Sequence, residues 1–205
     1  TVPEHIKKVP KSVVGLQPGD KISVEELLHG LLISSGNDCA ETLACAYPGG
    51  KDRFVRAMNV KAKSLGATST FFYTPSGLDR KVVLESGEAV RSNLSMARDI
   101  SRIARVAFSN DRIRSICRKT AHVLPSATSS KGYAVRTTNK LLRDNMPIVG
   151  GKTGYTSRAG HCLATALAPS RKDVFLIVVL GSPNHFRDTR LVYRKALSET
   201  RKLAK

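Results

Sequence analysis

Gly150-Gly151-Lys152-Thr153-Gly154, with the apolar runs Cys162 to Leu167 and Asp173 to Leu180 behind it, is the stretch that decides how this chain is built. The two runs read as β segments joined by Ala168-Pro169-Ser170-Arg171-Lys172, a connection short enough for an antiparallel hairpin. The second run is apolar nearly throughout, which predicts an interior strand covered on both faces. A lysine set among glycines at the edge of such a sheet lets a peptide backbone come close and pair with the strand. Beyond the hairpin, Arg187 to Leu203 carries helix formers and no proline, predicting a terminal helix that packs across the sheet.

Upstream the pattern turns helical. Gly15-Leu16-Gln17-Pro18-Gly19-Asp20 is a turn-rich lead into Ser23-Val24-Glu25-Glu26, a capping box with Ser followed three residues later by Glu. Leu27, Leu28, Leu31 and Leu32 give that helix its apolar face. Ser34-Ser35-Gly36-Asn37 interrupts it, and Asp38 is expected to cap a second helix reaching about Ala46. Phe54, Met58, Ala62 and Leu65 recur at helical spacing before Gly66 stops a third helix. Residues 68–93 read mostly as loop around Pro75-Ser76-Gly77. Met96, Ile100, Ile103, Ala104 and Ala107 then mark an amphipathic helix, and a short one follows from Asp111 to Arg118.

Bulk properties narrow the function classes. The 205 residues, 41% hydrophobic and 24% charged, suit one domain spanning 1–205, and the longest apolar run is too short to cross a bilayer. Thr1-Val2-Pro3-Glu4-His5 shows no signal peptide, so any export signal is expected upstream. A surplus of 34 Lys and Arg over 16 Asp and Glu gives +18, a field that draws polyanions. Anionic envelope polymers or lipid headgroups are the expected partners. Specific nucleic-acid binding is not, because the basic residues are spread from Lys7 to Lys205 and aromatics make up only 5% with no Trp. Cys39, Cys45, Cys117 and Cys162 fit no metal spacing; buried thiols are the expected state, with a disulfide or two left open. The five histidines lack an H-E-x-x-H pair and no G-x-S-x-G elbow is present, so neither a metal, nor a cofactor, nor a Ser-His-Asp triad is expected.

Ser35-Gly36-Asn37 and Lys152-Thr153-Gly154 stand, in order, as two of the three motif elements of serine β-lactamases and penicillin-binding proteins. With the flanks Leu27 to Asp38 and Gly151 to Gly160, the chain resembles the D-alanyl-D-alanine carboxypeptidase family of low-mass penicillin-binding proteins. Pro75-Ser76-Gly77-Leu78-Asp79, Met96-Ala97-Arg98-Asp99 and Asn139-Lys140-Leu141-Leu142 extend the likeness over nearly the whole chain. The resemblance implies an α+β fold of the β-lactamase/transpeptidase type, a five-stranded antiparallel sheet flanked by helices. The third motif, Ser-x-x-Lys, occurs nowhere in these residues. The resemblance therefore implies that the acylating Ser, its Lys base and the first strands lie upstream, and that 1–205 is a partial domain.

For the residues present, the resemblance implies catalytic roles for Ser35, Asn37 and Lys152. Ser35 relays a proton at the leaving amine, Asn37 bonds the substrate amide, and Lys152 brings positive charge to the site. Lys152, Thr153, Gly154 and Arg190 would bind the peptide and its terminal carboxylate, with Arg187 the alternative to Arg190. The implied reaction removes terminal D-alanine from peptidoglycan stem peptides through an acyl-enzyme, in the periplasm or cell envelope, with β-lactam antibiotics as inhibitors. A β-lactamase and a non-catalytic muropeptide-binding module are the alternatives.

Overall fold

In the computed structural model, which describes residues 1–10, 12–85, 87–128 and 132–203, the first half of the chain is a helical layer. Helix α1 (Val24–Ile33) starts at Ser23, whose hydroxyl accepts the Glu26 N–H at 3.1 Å, the bond that the capping box predicts. Helices α2 (Asn37–Ala46) and α3 (Gly50–Ser64) follow. Asp38 is not the cap of α2, as the sequence suggested, but lies inside its first turn. Its carboxylate accepts N–H groups from Val14 at 3.0 Å, Gly15 at 2.8 Å and Leu16 at 3.1 Å, tying the N-terminal segment to the helix. That segment adds Val2, Ile6 and Leu16 to a core shared with Leu27, Ile33, Cys39, Ile116, Leu124 and Val135.

Part of the stretch expected to be loop forms a hairpin, β1 (Arg80–Leu84) with β2 (Gly87–Arg91). The sequence hides it because the hairpin buries little: Val83 is 83% exposed, so no alternation of apolar and polar residues marks an inner face. Helix α4 (Ala97–Ser109) and helix α5 (Asp111–Cys117), capped by the Asn110 side chain, come next. A second hairpin joins β3 (Ala121–Leu124) and β4 (Tyr133–Arg136).

The main sheet is β5 (Ile148–Thr156), β6 (Gly160–Leu167) and β7 (Phe175–Ser182), antiparallel in the order β5-β6-β7. Side chains alternate across it. Leu163, Leu167 and Ile177 pack with Phe186 and Tyr193 of α6 (His185–Leu203), while Ala164, Ala166 and Leu176 pack with Ala104 and Phe108 of α4. The apolar β7 is thus covered on both faces. Laterally it is not interior, because β6 takes the central place and β7 has a neighbour on one side only among the described residues. All four cysteines are free thiols, Cys39 and Cys117 buried, Cys45 and Cys162 half-buried.

Replacing Asp38 by Ala strands the buried Leu16 N–H and two part-buried donors at once, and a net loss of about 2 kcal/mol in unfolding free energy is expected. Urea denaturation of both proteins measures it; a loss below about 1 kcal/mol would show that water satisfies those donors.

Candidate active site

The Ser35 loop is shaped by the end of α1. The N–H groups of Ser34 and Gly36 both donate to the Gly30 carbonyl, at 3.3 and 3.1 Å, curling the chain so that Ser35 takes φ +59°. That left-handed backbone is uncommon for a residue other than glycine. Gly36 is required for another reason: a Cβ there would lie 2.8 Å from Val14 Cγ2. Asn37 opens α2 and is buried; its backbone N–H donates to Ser12 O at 2.8 Å and its Nδ2 to Pro10 O at 3.4 Å.

Strand β5 meets this loop from the sheet. Gly150 lets the strand lie against α4, since a Cβ at that position would fall 2.7 Å from the Phe108 ring. Two residues on, Lys152 Nζ donates to Ser35 Oγ at 2.7 Å and to Thr153 O at 2.6 Å. The junction closes through residues 137–139: Thr138 N–H donates to Ile33 O at 3.1 Å, and the Thr138 and Thr153 hydroxyls share a hydrogen bond of 2.5 Å. Three separate segments therefore converge on one point.

Burial pushes the Lys152 ammonium from the usual 10.5 down to about 8, with the neighbouring Cys117 opposing. Burial pushes the Cys117 thiol up, while a hydrogen bond with the Gly151 backbone and the Lys152 charge act the other way. At neutral pH Lys152 remains mostly an ammonium. Because it donates to Ser35 Oγ, it leaves the hydroxyl proton of Ser35 free to point at a third group, the arrangement that a proton relay needs. A cation and a hydroxyl beside a strand edge that no other strand covers among the described residues suit the end of an extended peptide, with the backbone pairing to β5 and the carboxylate near Lys152.

The structure brings Ser35, Lys152 and Thr153 together, with Asn37 two residues beyond Ser35 at the start of α2. Gly154 follows on β5 and is exposed, its position free of crowding by any side chain. Arg190 is directed elsewhere: its Nε and Nη2 donate to Asp144 Oδ2 at 2.9 and 2.6 Å, on the α6 side of the sheet. Arg187, one turn earlier, is exposed and has no side-chain partner among the described residues. The rings of Tyr155, His161 and His185 pack in series beside the Lys-Thr-Gly end of β5, and Arg187 follows His185 by two residues on α6. Thr138 and Cys117 are the members that sequence reasoning missed. Thr138 directly precedes Asn139-Lys140-Leu141-Leu142, so that motif was the available signal; Cys117 had none.

Comparison with known proteins fits this geometry. Residues 3–184 match the model of the D-alanyl-D-alanine carboxypeptidase family, and the chain belongs to that family. It is 37% identical to a D-alanyl-D-alanine carboxypeptidase of Mycobacterium tuberculosis over 82% of this chain and 54% of that protein. It is 35% identical to a D-alanyl-D-alanine endopeptidase of Escherichia coli, over 82% of this chain and 52% of the other. A crystal structure of a D-alanyl-D-alanine carboxypeptidase from Mycobacterium tuberculosis superposes with a TM-score of 0.82 at 31% identity, covering 96% of this chain and 72% of that one. The fold is thus that of the penicillin-binding DD-peptidases, and the chain spans about half the length of the curated relatives it matches.

The unfolded chain keeps the Lys152 proton up to about pH 10.5, whereas the folded chain releases it near 8. This group therefore adds stability as pH rises from 8 to 10.5, while the charge at the site is lost as pH passes through about 8. NMR titration of the Lys152 side chain is expected to give a midpoint near 8; a midpoint at the ordinary 10.5 would remove the desolvation argument.

Proposed function

We propose that the protein is a serine-type D-alanyl-D-alanine carboxypeptidase that removes the terminal D-alanine of peptidoglycan stem peptides through an acyl-enzyme, with the nucleophile outside this chain. The observation that carries the proposal is the 2.7 Å bond from Lys152 Nζ to Ser35 Oγ beside the edge of β5, which has no strand next to it among the described residues. The peptide pairs with β5. Lys152 and Thr153 hold its carboxylate, Gly154 keeps the edge clear, and Asn37 orients the amide. Ser35 passes a proton to the departing D-alanine amine, its oxygen held by the Lys152 ammonium, whose positive charge favours the transition state over neutral alternatives. Arg187, exposed and without an ion-pair partner among the described residues, is freer to take the carboxylate than Arg190, which Asp144 engages. β-Lactams would act as inhibitors by acylating the same nucleophile, and the working location is the cell envelope.

The intact mass of the full-length protein tests this directly. One penicillin adduct per molecule, formed quickly and released slowly, together with release of D-alanine from a stem pentapeptide, is the expected result. Rapid turnover of penicillin would make the protein a β-lactamase, and peptide binding without adduct or hydrolysis would make it a muropeptide-binding module. The relation to an endopeptidase favours a second reading, cleavage of a D-alanyl bond inside a cross-link, which the same assay with a cross-linked dimer separates. In the full-length enzyme, Ser35→Ala and Lys152→Ala should each lower kcat/KM for the pentapeptide by roughly 10²- to 10³-fold. Arg187→Ala should act mainly on KM and Arg190→Ala on neither; the reverse order would return the carboxylate role to Arg190.

A further inference from the structure

Away from the Ser35–Lys152 junction, a second polar cluster joins α1 to β3. Glu26 and His29, one helical turn apart on α1, face His122 of β3, which lies 96 residues from Glu26 in the chain. His122 Nε2 donates to Glu26 Oε2 at 2.7 Å, and the rings of His29 and His122 stack with centroids 4.1 Å apart. His29 Nδ1 is 3.0 Å from Glu25 O, so Nδ1 carries the proton and Nε2 presents a lone pair. A cation already occupies that lone pair: Lys119 Nζ donates to His29 Nε2 at 2.8 Å.

We propose that Glu26, His29 and His122, whose ligand atoms all lie within 4.8 Å of one another, form a binding site for a divalent transition-metal ion such as Zn²⁺. Tetrahedral zinc with bonds of about 2.0–2.2 Å sets its ligands roughly 3.4 Å apart, so the donor atoms are already close, and the two rings turn out of their stack to aim both lone pairs at one ion. Two imidazoles with one carboxylate are a zinc donor set, and they leave a fourth position for water. The carbonyl of Glu25 supplies the outer-shell contact that orients a ligating histidine. His29 is buried, while Glu26 and His122 keep 19% and 23% side-chain exposure, so the ion has a way in. Binding exchanges one cation for another: the Lys119 ammonium, half-buried and on a flexible stem, swings away, and the proton shared by His122 and Glu26 passes to solvent. The ion then cross-links α1, which leads into Ser35, to the β3 hairpin. Sequence reading gave no sign of this site because its ligands come from opposite ends of a long chain separation.

Calorimetric titration of the full-length protein with Zn²⁺ alone is the test. One ion per molecule is expected, with affinity reduced at least about tenfold by His122→Ala and raised by Lys119→Met, which removes the competing charge. The gain in Lys119→Met cannot arise from misfolding. Cobalt(II) should show the visible absorption of a tetrahedral site in the wild type and lose it in His122→Ala. His161→Ala, in the other histidine stack, and Cys45→Ser, beside His5, should leave binding unchanged. No binding, binding indifferent to His122→Ala and Lys119→Met, or binding lost with Cys45→Ser overturns the proposal.

Discussion

A single ammonium, that of Lys152, links the sheet to the helical layer through its bond to Ser35 Oγ. The surroundings are arranged around that contact. Glycine at position 150 lets β5 lie close to α4, Asp38 fixes the N-terminal segment against which Gly36 packs, and Thr138 ties the end of α1 to Thr153. Burying an ammonium costs free energy that its two hydrogen bonds offset only in part, which is why its pKa falls. A charge kept under such conditions is suited to a partner that arrives with the opposite sign, because the carboxylate of the proposed peptide would complete a pairing that these residues alone do not supply.

Local signals were the legible ones. Ser23 and Glu26 marked the start of α1, Gly66 the end of α3, and the Ser34–Asn37 break set the loop between α1 and α2, because capping and backbone conformation depend on residues a few positions apart. The motif flanks identified the family and, with it, the fold. What escaped depends on distance or on shallow burial. The β1–β2 hairpin packs too little to impose a pattern, the lateral place of β7 depends on which strands flank it, and Thr138 and Cys117 reach the site only through tertiary packing. Arg187 and Arg190 show the same limit, since three residues on α6 are enough to send one side chain to Asp144 and leave the other exposed.

The sheet has unequal strands. β6 is paired along both edges, so its amides are shielded by two ladders, whereas β5 and β7 each keep a row of backbone groups with no strand beside them among the described residues. Amide hydrogen exchange should therefore rank β6 as the slowest strand. The outer row of β5 lies next to Lys152 and is the row that the proposed peptide pairs with; the outer row of β7 is far from that chemistry, and Val174 and Leu180 beside it are exposed.

Ser35 is subject to two demands that conflict. Its backbone at φ +59° favours glycine by roughly 1 kcal/mol, while its hydroxyl is the group that Lys152 engages. A glycine at this position would relax the backbone but remove one of the two acceptors of the Lys152 ammonium, so the conformational gain is set against an under-bonded, desolvated charge and the loss of the proposed proton relay. The strained backbone is thus tied to the very hydroxyl that Lys152 engages, and no substitution at this residue relieves the one without giving up the other.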